Sequence, residues 1–138
     1  MRRSTFKNIE SILRDYPDYD RHIAERERTL LNPDSIYSDE NIGGGQSSFI
    51  SNPTEMRALT LAEDRTLMVI RYQRDKIEKV INESDPFTNE IIREYYFTRP
   101  LLKTWEGVAQ AVNISPSHCR KLRTDFFERL ADELGLMK

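Results

Sequence analysis

The fold of this chain is decided by the stretch TWEGVAQAVNISPSHCRKLRT, residues 104–124. Its first part, Thr104–Val112, spaces apolar residues as one face of a helix requires. Asn113 follows where a tight turn needs positive φ, a conformation that Asn tolerates best after Gly. Ser115 can then cap a second helix that has Pro116 in its first position. The pattern predicts a helix-turn-helix.

Apolar residues on the two predicted helices support this interpretation. Val108 and Val112 are four residues apart and face the same side of the first helix. Ala109 is small and lets the helices approach closely, while Cys119 and Leu122 of the second helix point back towards them. We therefore expect Cys119 to be a packed thiol rather than a nucleophile.

Charge is distributed unevenly along the chain. The 138 residues include 21 Lys and Arg and 23 Asp and Glu, a net charge of −2, which excludes a wholly basic nucleic-acid coat protein and an acidic disordered tail. Between Arg99 and Thr124, five basic residues accompany one acid, a balance of +4, so the remainder carries −6.

This local charge predicts that the second helix binds double-stranded DNA in the major groove. The alternative is an ordinary solvated face, because Asp125 and Glu128 follow within two turns. The predicted DNA-binding residues are Ser115, Ser117, His118, Arg120, Lys121, Arg123 and Thr124.

The remaining pattern predicts an all-α protein, because the chain contains five Gly and almost no strand-like alternation. Residues 1–31 read as an α-hairpin, with Ser4 capping a helix from Thr5 to Asp15 and Asp18 capping a second helix. Residues 32–52 hold three of the five Gly and no Lys or Arg, which is typical of a flexible linker or loop.

Two further regions complete the predicted organisation. Residues 53–85 contain a long helix from Pro53 to about Asn82, which is suited to oligomerisation or to contact with a partner protein. Residues 86–138 form the helix-turn-helix domain, in which Thr88 caps a helix to about Phe97 and Gly135 ends the last helix.

The sequence contains no pattern typical of an enzyme or a cofactor site. Cys119 is the single cysteine, which excludes an intrachain disulfide and a zinc site of several cysteines. His22 and His118 have no metal-ligand partners at suitable spacing. No secretory signal and no run of about 20 apolar residues occurs, so we expect a cytoplasmic protein without a membrane partner.

Short motifs in the same order along nearly the whole chain resemble the RinA family of phage transcriptional regulators, and the related ArpU group has a similar layout. They are DYPDY at 15–19, DENIGG at 39–44, TEM at 54–56, EYYF at 94–97 and RLADELG at 129–135.

The resemblance implies a phage-encoded activator that switches on late genes for packaging and morphogenesis in a bacterial host cell. Its C-terminal part would be similar to the promoter-reading helix-turn-helix of sigma factors, which places the reading helix on Ser115–Thr124. Host RNA polymerase and a second copy of the chain are further expected partners. A small terminase subunit, which also combines a helix-turn-helix with a helical oligomerisation element, and an RNA-polymerase-binding module are the alternatives.

Overall fold

The computed structural model describes residues 1–32, 53–99 and 103–138 as helices joined by short turns. No strand occurs among these residues, and the predicted all-α class is confirmed. The predicted linker lies outside the described residues except for Asn32. The elements are α1 (Arg3–Asp15), a 3-10 turn (Tyr16–Asp18), α2 (Tyr19–Leu31), α3 (Pro53–Glu63), α4 (Arg65–Glu83), α5 (Pro86–Ile92), a π-helical turn (Arg93–Phe97), α6 (Trp105–Val112) and α7 (Pro116–Leu134).

The helices divide into two compact units. The larger unit comprises Met1–Pro17 and Gln73–Lys138, and the smaller unit comprises Asp18–Tyr72. The hairpin expected over residues 1–31 is therefore divided between the units, because α1 packs on α7 and on the π-helical turn. The apolar side of α1 thus packs on residues that are far away in the sequence.

The larger unit is built around aliphatic and aromatic side chains from α1 and from the C-terminal half of the chain. Phe127 is at its centre, with ring centroids 4.7 Å from Phe6 and 5.7 Å from Tyr96. Burying one large apolar side chain contributes about 1.5–3 kcal/mol, so such a cluster dominates the stability of the unit. The fully buried residues include Ile9, Leu13, Ile77, Val80, Ile91, Ile92, Val108, Cys119, Phe126, Phe127 and Leu130.

In the smaller unit α2 packs on α3, and Asp64 separates α3 from α4. The single helix predicted from Pro53 to Asn82 is therefore wrong at this position. The Asp64 carboxylate accepts hydrogen bonds from the Leu67 backbone N–H, at 3.0 Å, and from Arg26 Nη2 and Nε, at 2.7 and 3.2 Å. The hydrogen bonds from Arg26 and from the Leu67 backbone hold the pKa of Asp64 below its usual value. Asp64 thus begins a new helix instead of continuing the previous one.

Three predicted helix caps are also corrected. Asp18 occupies the N-cap position of α2, but its side chain makes no capping hydrogen bond. Ser4 lies inside α1, whose N-cap position is Arg2 and carries no side-chain cap. Asp85 caps α5 in place of Thr88: its carboxylate accepts from the Thr88 backbone N–H at 3.1 Å and from the Thr88 hydroxyl at 2.6 Å. Pro86 occupies the first helical position, where the missing N–H costs nothing.

Candidate nucleic-acid interface

The turn between α6 and α7 has the geometry that its residues predict. Thr104 Oγ1 accepts from the Gly107 backbone N–H at 3.1 Å and caps α6. Asn113 ends this helix with φ of 66°, in the left-handed region. Ser115 Oγ accepts from the His118 backbone N–H at 3.1 Å, and Pro116 begins α7. The predicted positive φ at Asn113 and the predicted Ser115 cap are confirmed, and they fix the direction in which α7 leaves the turn.

A compact apolar core holds α6 and α7 together. Trp105 packs edge-on against Tyr95, with ring centroids 4.8 Å apart. Burial raises the pKa of the Cys119 thiol, which is fully enclosed, and its predicted role as a packed side chain is confirmed. The buried members of this core are Ile91, Trp105, Val108, Ala109, Val112 and Cys119, with Tyr95, Ile114 and Leu122 packed at its edge.

Most of the predicted DNA-binding residues lie on the surface of the first half of α7. The Thr124 side chain is half-buried, and its hydroxyl donates to the backbone carbonyl of Arg120 at 2.9 Å. Ser115 is exposed and holds the cap described above. We define the α7 outer face as the exposed residues Ser117, His118, Arg120 and Lys121.

Arg123 does not belong to this face. Its guanidinium carbon lies 4.4 Å from the centroid of the Trp105 ring and 4.9 Å from that of the Phe6 ring. Nη1 is 3.5 Å from the Tyr96 hydroxyl, and Nε is buried without a hydrogen-bond partner among the described residues. The side chain therefore stacks between α1 and α6, where it contributes cation–π contacts rather than an exposed charge.

Other basic residues of the +4 segment are also engaged within the protein. Lys103 Nζ lies 2.7 Å from Glu94 Oε2, and Arg99 donates to the backbone carbonyl of Arg14. Arg120 Nη2 is 3.5 Å from Glu106 Oε1, and both of these side chains are exposed, so water screens the pair strongly. Lys121 makes no ion pair with any described residue. The positive charge available on the surface of α7 therefore comes from Arg120 and Lys121, which are fewer residues than the five basic ones of the +4 segment.

A network around Tyr96 was not predicted from the sequence. The Tyr96 hydroxyl donates to Glu10 Oε2 at 2.7 Å, and the Arg14 guanidinium lies 5.3 Å from the Tyr96 ring centroid. Burial and the neighbouring Glu10 carboxylate raise the pKa of Tyr96. These contacts join residues 82 to 86 positions apart, and only the dense aromatic run at residues 95–97 signals a packed cluster.

The structure also bears on other kinds of site. In the described parts of the chain, none of the helices has the length and apolar character that crossing a membrane requires. Nor do the described residues bring three or more His, Cys, Asp or Glu side chains together where they could hold a metal ion.

Comparison with known proteins identifies the family. Residues 5–132 match the family model described as "Protein of unknown function (DUF722)". The chain is also 30% identical over 136 residues to the protein named transcriptional activator RinA of Staphylococcus phage phi11, an alignment covering 98% of this chain and 94% of that relative. No solved structure matches significantly. The chain therefore belongs to the RinA family of phage transcriptional regulators.

Proposed function

We propose that this protein is a phage transcriptional activator that binds promoter DNA as a duplex, with α6 and α7 acting as a helix-turn-helix. The observation that carries the proposal is the α7 outer face: a short, exposed, basic surface that follows a capped turn of fixed geometry. The relative's name indicates activation rather than repression, since that protein is named a transcriptional activator. In this function α7 enters the major groove with its N-terminal half.

Each residue of the interface has a chemistry that suits duplex DNA. Arg120 and Lys121 can donate to guanine edges or to phosphate oxygens, and Ser117 and His118 are short hydrogen-bonding partners. The Ser115 oxygen accepts from the backbone, which leaves its hydroxyl proton for a phosphate at the helix N-terminus.

Glu106 modulates this surface. Its carboxylate lies 3.5 Å from Arg120 Nη2 and would have to release that guanidinium when a phosphate or base binds. A carboxylate beside a DNA-binding side chain weakens non-specific binding to the phosphate backbone, and the outer face then favours sites that offer good base contacts.

The DNA site proposed for this protein is the promoter of the late genes for packaging and morphogenesis, as the family resemblance implies. Footprinting the full chain across the phage genome tests this. Protection at a promoter upstream of those genes is the expected result. Protection at a packaging start site instead would assign a terminase-like role, and no protected site at all would contradict DNA recognition. Contact with host RNA polymerase stays a prediction.

Substitutions on the outer face test the residues. Arg120→Ala and Lys121→Ala should each weaken binding to the footprinted site by about 1–3 kcal/mol, measured by fluorescence anisotropy, because each removes a base or phosphate contact. Glu106→Gln should strengthen binding, since it frees Arg120. Arg57→Ala, at an exposed position of the smaller unit, is the matched control and should bind as the unchanged chain does. Unchanged affinity in a folded Arg120→Ala/Lys121→Ala variant would contradict the assignment.

A further inference from the structure

The first turns of α1 carry an exposed basic surface that the proposed helix-turn-helix does not include. Residues 1–9 contain Arg2, Arg3 and Lys7 and no acid. All three side chains are exposed, and none makes an ion pair with a described residue. Arg3 and Lys7 are four residues apart, so they lie on the same side of the helix, one turn from each other. We call Arg2, Arg3 and Lys7 the α1 basic patch.

The patch is held beside α7 within the larger unit. Phe6, next to Lys7 in the chain, packs on Phe127 of α7 with ring centroids 4.7 Å apart. The Arg123 guanidinium stacks on the Phe6 ring as well. The Thr5 hydroxyl donates to the backbone carbonyl of Met137, just beyond the end of α7. These contacts fix the start of α1 beside the C-terminal half of α7, the helix whose N-terminal half we propose to read DNA.

The nearest acid on the same side of α1 does not cancel the patch. Glu10 accepts from the Tyr96 hydroxyl at 2.7 Å, and its carboxylate lies 3.8 Å from Arg14 Nη2. The Glu10 carboxylate therefore interacts with Tyr96 and Arg14. The acids of α7 lie in its C-terminal half, where Asp132 pairs with Lys138 and Glu133 pairs with Lys76 and Lys79.

We propose that the α1 basic patch binds phosphate oxygens of the same DNA duplex that the α7 outer face reads. This inference rests on the proposed function. Phosphate contacts position a protein on the duplex and carry no sequence information, which suits exposed Arg and Lys side chains on a helix fixed to the reading helix. The outer face offers only two strong cations, Arg120 and Lys121, so a second basic surface would supply much of the electrostatic attraction.

The test is the salt dependence of binding by the full chain carrying Arg3→Gln and Lys7→Gln. Loss of two phosphate contacts should reduce the slope of log K against log salt by about 2. Affinity for the footprinted site and for an unrelated duplex should fall by the same factor, leaving the ratio between them unchanged. Arg57→Gln with Arg65→Gln, two exposed positions of the smaller unit, is the matched control and should keep the original slope.

The outcomes separate this inference from the proposed function. If the unchanged chain binds no duplex, the proposed function fails. If it binds and the Arg3→Gln/Lys7→Gln variant keeps its slope, the patch does not contact DNA and only this inference is overturned. Thermal melting shows whether the variant is folded, and Arg3→Lys with Lys7→Arg, which retain both charges, should restore the slope. Failure of that charge-retaining variant to restore it would also overturn the inference.

Discussion

Arg123 lies only two residues beyond Lys121 on α7, yet the two side chains have different surroundings. Lys121 is exposed, whereas the Arg123 guanidinium is stacked on the rings of Phe6 and Trp105. A helix rotates by about 100° per residue, so this small step moves a side chain from the outer face to the packed flank. The predicted DNA contact at Arg123 becomes, in the structure, a contact that holds α7 in place.

The role of Arg123 can be measured. Arg123→Gln should lower the free energy of unfolding by about 1–3 kcal/mol, because it removes two cation–π contacts from a packed site. The salt slope of DNA binding by the folded variant should stay unchanged, because no phosphate contact is lost. Urea denaturation and a salt titration give the two values.

Lys121→Gln is the converse control. It should reduce the salt slope by about 1 and change the unfolding free energy by no more than about 0.5 kcal/mol. If Arg123→Gln instead behaves as Lys121→Gln is expected to, Arg123 contacts DNA directly and the stacked arrangement is not its functional one.

Some local backbone features could be predicted because one or two neighbouring residues determine them. Asn113 has positive φ, Ser115 caps α7, and Gly135 ends it with φ of 71°, all as expected from residue type. Arg123 could not be placed in this way. Its ring partners include Phe6, which is 117 positions away, and no local pattern carries that information.

At the scale of elements, α1 is part of the same core as the proposed reading helix. Ile9 and Leu13 are fully buried, and α1 packs on α7 and on the π-helical turn. The region from residue 86 to residue 138, expected from the sequence to be a domain, therefore shares its core with the first 17 residues and with the C-terminal half of α4.

Removal of residues 1–17 tests this shared core. The shortened chain should lose at least about 3 kcal/mol of unfolding free energy, since two fully buried side chains and the Phe6 contacts disappear. Trp105, the single Trp of the chain, reports unfolding of the larger unit by fluorescence in urea. Asn8→Ala with Ser11→Ala, both exposed on α1, should stay within about 0.5 kcal/mol of the unchanged chain. An unchanged midpoint for the shortened chain would contradict the shared core.

The interruption between α3 and α4 shows why helix length was harder to predict than helix class. Glu63 and Asp64 are compatible with a continuing helix, and apolar residues recur on both sides. The break depends on the ion pair between Asp64 and Arg26, which is 38 residues earlier in the chain. Periodicity detects the two amphipathic segments, while a distant partner decides where one ends and the next begins.

For the whole molecule, we predict self-association through the smaller unit. Large apolar side chains on α3 and α4 are about half exposed, and α3 has no buried residue. Under the proposed function a second copy is the expected occupant, because helix-turn-helix proteins commonly read paired half-sites as two-fold dimers. The exposed residues are Met56, Leu59, Met68 and Val69.

Light scattering on the full chain measures this association. A mass above that of one 16.3 kDa chain, rising with concentration, is expected, and Leu59→Glu with Met68→Glu should shift it to the monomer because charges oppose burial of the face. Met137→Glu, at an exposed Met of the larger unit, should have no effect. A monomeric mass at every concentration would count against the prediction.

The net charge of −2 is a sum over the whole chain and does not show how the charges are distributed. The sequence revealed the basic segment around α7, because those residues are adjacent. It did not reveal that Lys103 and Arg123 are engaged internally, nor that the basic start of α1 lies beside α7. Those facts depend on tertiary contacts, which bring together charges that the linear order keeps apart.

The division of α7 into a packed side and an outer face has an evolutionary consequence. Cys119, Phe126 and Leu130 maintain the fold, whereas the proposed reading residues do not contribute to the core. Under the proposed function, a phage lineage can change Ser117, His118 and Lys121 without loss of stability and so acquire a new promoter. Under the proposed function, one scaffold can therefore carry different target specificities.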